Sequence, residues 1–188
     1  MIIWIASYPK SGNTWVRSLL SAYLYTEDGI FNFNLLKKIS EYWISAQNRI
    51  NLYNENESIF LKTHSALCTL ENNSFTNKAN TQAVIYIVRD PSDVITSISN
   101  HYSRSIEESY NFMIDNNKML VADKWGGKNF GISEMLGSWS QHYKSWQNIK
   151  FAPILNIKYE NLINDTKNSL ITIINFLQRF IEVKVDNK

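Results

Sequence analysis

The sequence has little of what marks several protein classes. Its 188 residues include one cysteine, Cys68, three prolines and six glycines. No apolar run approaches the ~20 residues of a membrane-spanning helix. The single cysteine excludes an internal disulfide framework and a cysteine-based zinc site, and the low proline and glycine content excludes collagen-like or linker sequence. The first residues lack the basic start of a secretory signal peptide, so we expect a cytoplasmic protein with no membrane span.

The sequence also lacks a strong charge of either sign. Nineteen basic residues stand against 17 acidic ones, a formal net charge of +2. Nucleic acid and anionic membranes are therefore not the expected partners, and a few well-placed groups must hold any anionic ligand. Hydrophobic residues make up 44% of the chain, enough to bury a continuous core. We expect one globular domain over residues 1–188.

The hydrophobic pattern predicts strands that alternate with helices. Short apolar runs at residues 2–6, 59–61, 83–88 and 154–157 are typical of buried strands. Helical spacing predicts helices from about Thr14, from Pro91, across Met135, Trp139, Tyr143 and Trp146, and over residues 166–177. This alternation favours an α/β fold with a mostly parallel sheet, in which ligands bind at the carboxyl ends of the strands. The asparagine-rich stretches 48–56 and 72–80 are expected to be surface loops.

The turn between the first strand and the first helix carries the strongest chemical signal. It places a lysine, two hydroxyl groups and a glycine beside a helix N-terminus, in the order Ser7-Tyr8-Pro9-Lys10-Ser11-Gly12-Asn13-Thr14-Trp15. The free amides and the positive dipole end of the helix favour a bound phosphate there. The turn is not a Walker A loop, because Lys10 precedes the only glycine. The alternative is an ordinary strand-to-helix turn with an exposed lysine.

Residues 8–15 closely resemble the 5′-phosphosulfate loop of sulfotransferases, which use 3′-phosphoadenosine 5′-phosphosulfate (PAPS) and release adenosine 3′,5′-bisphosphate (PAP). The resemblance implies a P-loop-like three-layer α/β fold, with a central, mostly parallel sheet flanked by helices. It also implies that the loop holds the 5′-phosphate, that Lys10 contacts the oxygen bridging phosphate and sulfate, and that Trp15 packs on the adenine. No metal is implied. The cofactor-binding residues implied in this segment are Lys10, Ser11, Gly12, Asn13, Thr14 and Trp15.

A second phosphate-binding motif is predicted at the end of the third strand, where Arg89-Asp90-Pro91-Ser92-Asp93-Val94-Ile95-Thr96-Ser97 opens a helix. The planar guanidinium of an arginine matches the oxygens of a phosphate. The segment is similar to the family's 3′-phosphate motif R-x-P-x-D-V-x-x-S. That similarity implies that Arg89 and Ser97 bind the 3′-phosphate and that Asp93 braces the loop. The alternative for Arg89 alone is a surface ion pair.

Two further segments resemble the family. Lys62-Thr63-His64 follows a predicted strand and is similar to the family's segment with the general base, so we predict His64 as the base and Lys62 as an electrostatic partner at the sulfuryl oxygens. Tyr159 lies in a segment similar to the family's Tyr-Glu-Asp/Asn-Leu, which implies that it approaches the adenine; packing at the core rim is an equally open reading. His101 and His142 are predicted to be non-catalytic.

The resemblance runs from residue 2 to about Leu177. Nothing after it resembles the family's later Arg-Lys-Gly loop, so we expect a domain truncated at its C-terminus with an incomplete nucleotide clamp. The acceptor is expected to be a small-molecule, carbohydrate or peptide-linked hydroxyl, less often an amine. Residues 26–58 and 103–130 are expected to border its pocket, although their aromatic residues fit ordinary packing equally well: Phe31, Phe33, Tyr42, Trp43, Tyr53, Tyr110 and Phe112.

Two alternatives to an active sulfotransferase remain open. A nucleotide kinase of related fold would need a Walker lysine followed by a serine or threonine, together with magnesium ligands. A remnant that binds PAP, PAPS or a partner protein without catalysis would keep the loops. The expected truncation favours the remnant, whereas the presence of His64 and Lys62 favours the enzyme.

Overall fold

The structure, a computed structural model, describes residues 1–42, 58–70, 72–121 and 132–182. The main sheet contains β1 (Ile2–Ser7), β2 (Ser40–Glu41), β3 (Ile59–Thr63), β6 (Thr81–Val88) and β9 (Ile154–Lys158). Two small hairpins pair β4 (Thr69–Leu70) with β5 (Asn73–Ser74) and β7 (Met119–Val121) with β8 (Ile132–Met135). The α-helices are α1 (Asn13–Tyr25), α2 (Pro91–Tyr102), α3 (Ile106–Ile114), α4 (Trp139–Gln147), α5 (Tyr159–Asn164) and α6 (Thr166–Leu177), and a 3₁₀ helix spans Phe33–Lys38.

The main sheet is parallel throughout, in the order β2-β3-β1-β6-β9. Strand β1 lies at its centre, and all six of its residues are buried because both faces of the sheet are covered. The four predicted strands are therefore confirmed. Their parallel direction brings the carboxyl ends of β1, β3, β6 and β9 to one edge of the sheet.

Alternate side chains of β1 enter two different hydrophobic cores. Ile3 and Ile5 pack with residues of α1, α5 and α6, whereas Trp4 packs on the opposite face with Trp146 of α4. This alternation follows from the two-residue period of a strand. The result is a three-layer α/β arrangement with a parallel central sheet flanked by helices, as predicted.

Helix starts follow local capping rules. Asp90 caps α2, its carboxylate accepting from the Ser92 amide at 2.8 Å, and Pro91 is the first helical residue, as predicted. Helix α6 occupies the predicted residues 166–177, and the Asp165 carboxylate caps it at the Asn168 amide. These two boundaries were predictable because they depend only on neighbouring residues.

One predicted helix begins later than its periodicity indicates. Met135 lies in β8, and α4 starts at Trp139. Gly137, with φ 61°, turns the chain between the two elements, and Ser138 then caps α4 in a capping box with Gln141. Of the two asparagine-rich stretches, residues 72–80 include β5 and bury Phe75, whereas residues 48–56 lie outside the described residues.

Candidate functional site

Four segments meet at the carboxyl edge of the sheet. Tyr8 follows β1, His64 follows β3, Arg89 follows β6 and Tyr159 follows β9. Because these strands are parallel neighbours, the residues that follow them lie on the same edge. The structure therefore collects every sequence-predicted segment at one place.

The loop between β1 and α1 has an unusual backbone. Lys10 and Gly12 have positive φ angles of 67° and 97°, and α1 starts after Gly12 with no side chain capping it. Helices α2, α3, α4 and α6 each begin with a side-chain cap. The first amides of α1 are thus left for another acceptor, and an anion is the group that a helix N-terminus favours.

Unpartnered polar atoms in and beside this loop indicate whether its residues fit a phosphosulfate group. The hydroxyl of Ser11 and the Nε of Arg89 are buried hydrogen-bond donors without an acceptor among the described residues. Buried donors of this kind cost free energy until an acceptor arrives. The residues present therefore fit an anionic group. Thr14, by contrast, is exposed, and its carbonyl accepts the Ser18 hydroxyl.

Asn13 holds the loop onto the strand before it. Its Nδ2 donates to the Ile5 carbonyl at 3.1 Å and to the Ser7 hydroxyl at 3.2 Å. Its Oδ1 is buried and has no donor among the described residues. The predicted cofactor-binding residue Asn13 thus braces the loop with one end of its amide.

Arg89, Tyr159 and Trp15 form a cluster over the loop. The Arg89 guanidinium lies 4.3 Å from the centroid of the Tyr159 ring, and its Nη1 donates to the Lys10 carbonyl at 3.1 Å. The Tyr159 and Trp15 rings meet edge to face at 6.0 Å. Asp93 Oδ2 lies 3.9 Å from Arg89 Nε, and Ser97, partly exposed, follows one turn later on α2. Apart from Ser97, the residues predicted for the nucleotide thus lie in this loop or in the cluster over it.

His64 is fixed at three of its four polar groups. Its amide donates to Glu134 Oε1 at 2.7 Å, its carbonyl accepts from His142 Nε2 at 3.0 Å, and its Nδ1 lies 2.8 Å from the Ser7 carbonyl. Nδ1 must therefore carry the proton, which leaves Nε2 as a lone-pair acceptor. Burial, followed by the positive charge of Lys62, lowers the pKa of His64 to about 3. The imidazole is neutral at pH 7.

Lys62, the predicted electrostatic partner of His64, is paired with two carboxylates. Its side chain is 7% exposed, and its Nζ lies 3.4 Å from Glu134 Oε1 and 3.7 Å from Glu41 Oε1. Arg17 shares the Glu41 oxygen at 3.1 Å. Two carboxylates therefore hold the ammonium group that the sequence assigns to the sulfuryl oxygens.

Helix α4 supports the segment that follows His64. The Trp146 indole donates to the Ser65 carbonyl at 3.0 Å, and the Ser145 hydroxyl accepts from the Leu67 amide at 3.0 Å. His142 is fully buried, and its Nδ1 lies 2.9 Å from the Tyr86 hydroxyl. Because Nε2 of His142 donates to His64, Nδ1 must accept, and burial lowers the pKa of His142 to about 3. The prediction that His142 is non-catalytic fits this structural role.

Sequence reasoning missed Glu134, Glu41 and Arg17. A carboxylate inside the mainly apolar segment 132–136 and an arginine on the apolar face of the first helix were the available signals. Both Glu134 and Arg17 are buried. Charged residues are rarely buried unless they are paired, as these two are.

The aromatic residues expected around an acceptor divide into two groups. Tyr42 and Phe112 are buried in hydrophobic cores, whereas Phe33 and Tyr110 are exposed and Phe31 is partly exposed. Trp43 and Tyr53 lie outside the described residues. Two cavities, of 310 and 410 Å³, lie away from His64; residues of β9, α5 and α6 line one, and the other includes Leu24 and Phe180.

The described part of the chain has neither a metal-binding cluster nor a membrane-spanning helix. Within residues 1–42, 58–70, 72–121 and 132–182, no group of three or more His, Cys, Asp or Glu is placed to hold a metal ion. None of the helices in that part of the chain is long and apolar enough to cross a membrane.

Comparison with known proteins gave one family. A family model described as a sulfotransferase domain matches residues 2–187. Sulfotransferase 1A1 of Rattus norvegicus is 29% identical over 203 residues, covering 97% of this chain and 62% of that protein. Sulfotransferase 1E1 of the same organism is 29% identical over 186 residues, covering 93% and 58%. The chain thus spans about three fifths of the length of these relatives.

Solved structures share the fold. Mouse sulfotransferase SULT7A1 complexed with PAP superimposes with a TM-score of 0.60 at 23% identity, covering 97% of this chain and 59% of that one. Retinol dehydratase in a complex with retinol and PAP gives a TM-score of 0.56 at 18% identity, covering 97% and 61%. Both likenesses concern the three-layer architecture.

Proposed function

This chain belongs to the family of sulfotransferase domains, and from that premise we propose that it transfers a sulfuryl group from PAPS to an acceptor hydroxyl, or less often an amine. One observation carries the proposal. The Nδ1 of His64 lies 2.8 Å from the carbonyl of Ser7, where β1 ends and the phosphate-binding loop follows. The proposed base and the proposed donor site are thus joined by a direct contact.

His64 acts as the general base in this scheme. The Ser7 carbonyl holds the proton on Nδ1, so the Nε2 lone pair is available for the proton of an acceptor hydroxyl. The low pKa keeps the imidazole in its proton-accepting form at neutral pH. The His142 contact fixes the main chain of the base, and such fixed orientation is a large part of what a protein adds to group transfer.

The loop residues hold the donor. When bound, PAPS supplies a sulfuryl group activated by its bond to a phosphate leaving group. Lys10, the Ser11 hydroxyl and the first amides of α1 hold the 5′ end and offset its negative charge. Arg89 and Ser97 hold the 3′-phosphate, and the Trp15 and Tyr159 rings contact the adenine.

A second function, nucleotide binding without transfer, is favoured by the position of Lys62. Its ammonium group is paired with Glu134 and Glu41 and is buried, so it is not free to meet a sulfuryl oxygen in this arrangement. A chain of this kind keeps its affinity for PAP and does not turn over PAPS.

Calorimetric titration with PAP, followed by transfer from radiolabelled PAPS to a panel of phenols, alcohols and sugars, separates the two functions. We expect PAP binding that Lys10→Ala abolishes and that Lys78→Ala, a change at an exposed loop lysine, leaves intact. His64→Ala should lower transfer by about 10²-fold or more while PAP affinity stays within about twofold. Binding without transfer in the unmodified chain would favour the second function. Absence of binding in the folded chain would contradict both.

A further inference from the structure

Glu134 is a buried carboxylate that the proposed reaction does not use. It lies in β8, outside the main sheet, and is 4% exposed. Its Oε1 accepts the His64 amide at 2.7 Å and lies 3.4 Å from Lys62 Nζ. One oxygen atom thus contacts both residues of the segment predicted to carry the chemistry.

The main chain around Glu134 is itself fixed against that segment. The Met135 carbonyl accepts from the Ala66 amide at 2.7 Å, and the Met135 amide donates to the Ser65 hydroxyl at 3.3 Å. Strand β8 therefore lies beside residues 65 and 66, which come directly after His64 in the chain. The carboxylate of Glu134 is held in place by these contacts.

Lys62 extends the arrangement to the helix that begins at the phosphate-binding loop. Its Nζ lies 3.7 Å from Glu41 Oε1, which also accepts Arg17 Nη1 at 3.1 Å. Arg17 is buried on α1, and its Nη2 donates to the Ile39 carbonyl at 2.7 Å. Two positive and two negative groups alternate from α1 to His64, and their charges balance.

Balanced charges matter because burial makes an unpaired charge costly. Burial raises the pKa of Glu134, whereas the Lys62 ammonium and the His64 amide act in the opposite direction. Removing one partner of a buried pair leaves the other charge uncompensated, whereas removing both is much less costly. Loss of either donor would therefore leave the buried Glu134 carboxylate with one of its partners missing.

We propose that Glu134 is a positioning residue, whose single oxygen fixes the His64 main chain and the Lys62 ammonium group relative to each other. The expected effect of Glu134 on catalysis rests on the proposed sulfuryl transfer. The link that Glu134 makes between His64 and Lys62 does not. With Glu134 in place, His64 is held at its main-chain amide as well as at Nδ1 of its ring. The ring nitrogen Nε2 therefore keeps one direction. Lys62 is held by the same carboxylate oxygen, 3.4 Å from its Nζ.

The link is tested first without any substrate. Glu134→Gln keeps the shape and an oxygen acceptor but removes the charge, and Lys62→Met removes the partner charge. We expect each single variant to unfold at lower urea concentration than the unmodified chain, and the double variant to be more stable than the sum of the two losses predicts. Glu107→Gln, on the exposed surface of α3, is the matched control and should change nothing.

Hydrogen exchange of the His64 amide gives a local readout. Glu134→Ala removes the acceptor of that amide, and we expect its exchange to accelerate at least about tenfold beyond any change in global stability. If Glu134→Ala does not fold, Glu134→Gln gives the same comparison with a weaker neutral acceptor. Additive stability losses together with unchanged exchange would overturn the proposal.

The catalytic role of Glu134 predicts a variant in which kcat falls while PAP affinity is kept. In Glu134→Gln we expect kcat to fall at least about tenfold, with PAP affinity within about twofold, because the variant disturbs the base and not the nucleotide loop. Equal losses in PAP affinity and kcat, or an unchanged kcat, would contradict the positioning role. If the unmodified chain shows no transfer, the proposed function fails, and the stability and exchange measurements alone decide whether Glu134 links His64 to Lys62.

Discussion

The ring of Tyr159 lies so close to Gly12 that a methyl group built at Gly12 falls 2.5 Å from Tyr159 Cδ2. Gly12 is the residue before α1, and the same ring supports the Arg89 guanidinium. The absence of a side chain at position 12 therefore lets the β9–α5 junction pack directly on the loop between β1 and α1. A displaced Tyr159 would move both Arg89 and the loop.

We predict that Gly12→Ala weakens PAP binding at least about tenfold. Alanine is strained at φ 97°, by about 1–2 kcal/mol, and its methyl group would push Tyr159 away. Gly29→Ala is the matched control, because Gly29 has φ 70° but no atom within 4 Å of an added methyl group. Calorimetry with PAP and urea unfolding should show similar strain in both variants and a loss of affinity only in Gly12→Ala. Equal PAP affinity in the two variants would show that the Tyr159 contact is irrelevant to the loop.

A second prediction concerns the 3′-phosphate. PAP should bind more tightly than AMP, which lacks that group, and Arg89→Ala should remove most of the difference, since a charge-assisted contact is worth about 1.5–3 kcal/mol. Arg179→Ala, at an exposed arginine near the end of α6, should preserve it. The measurement is a pair of titrations with PAP and AMP on each variant. Should Arg89→Ala discriminate as well as the unmodified chain, another group holds the 3′-phosphate.

A third prediction concerns stability and pH. Burial lowers the pKa of His142 to about 3, whereas an unfolded histidine has a pKa of about 6.5. The unfolded chain therefore takes up a proton between these values while the folded chain does not. The stability from His142 is fully present above pH 6.5 and is lost as pH falls towards 3, with a slope of up to about 1.4 kcal/mol per pH unit.

Urea unfolding between pH 7 and pH 4.5 tests this slope. His142→Gln should be less stable at pH 7, because the Tyr86 and His64 contacts change, and its stability should fall less steeply with acid. His101→Gln, at an exposed position of α2, is the control and should leave the slope as it is. A slope that His142→Gln leaves unaltered would mean that His142 is protonated in the folded chain.

Residues close in sequence determined the parts of the fold that were predicted well. The runs 2–6 and 83–88 predicted β1 and β6, and Pro91 predicted the start of α2. Met135 was assigned to the wrong element because its spacing to Trp139 fits a helix. Gly137 turns the chain between them, and Ser138 then caps a new helix. Periodicity counts residues and does not register a turn of that kind.

The sequence by itself predicted the loop between β1 and α1 and the alternation of four main-sheet strands with helices, because both depend on residues within a few positions of one another. Only the tertiary structure decided what surrounds His64. Its contacts to Ser7, Glu134 and His142 span 57, 70 and 78 positions in the chain. The pairing of Lys62 with Glu134 is of the same kind. Contacts over such separations depend on which strands become neighbours and on how the hairpin of β7 and β8 packs. Local sequence patterns specify neither of these.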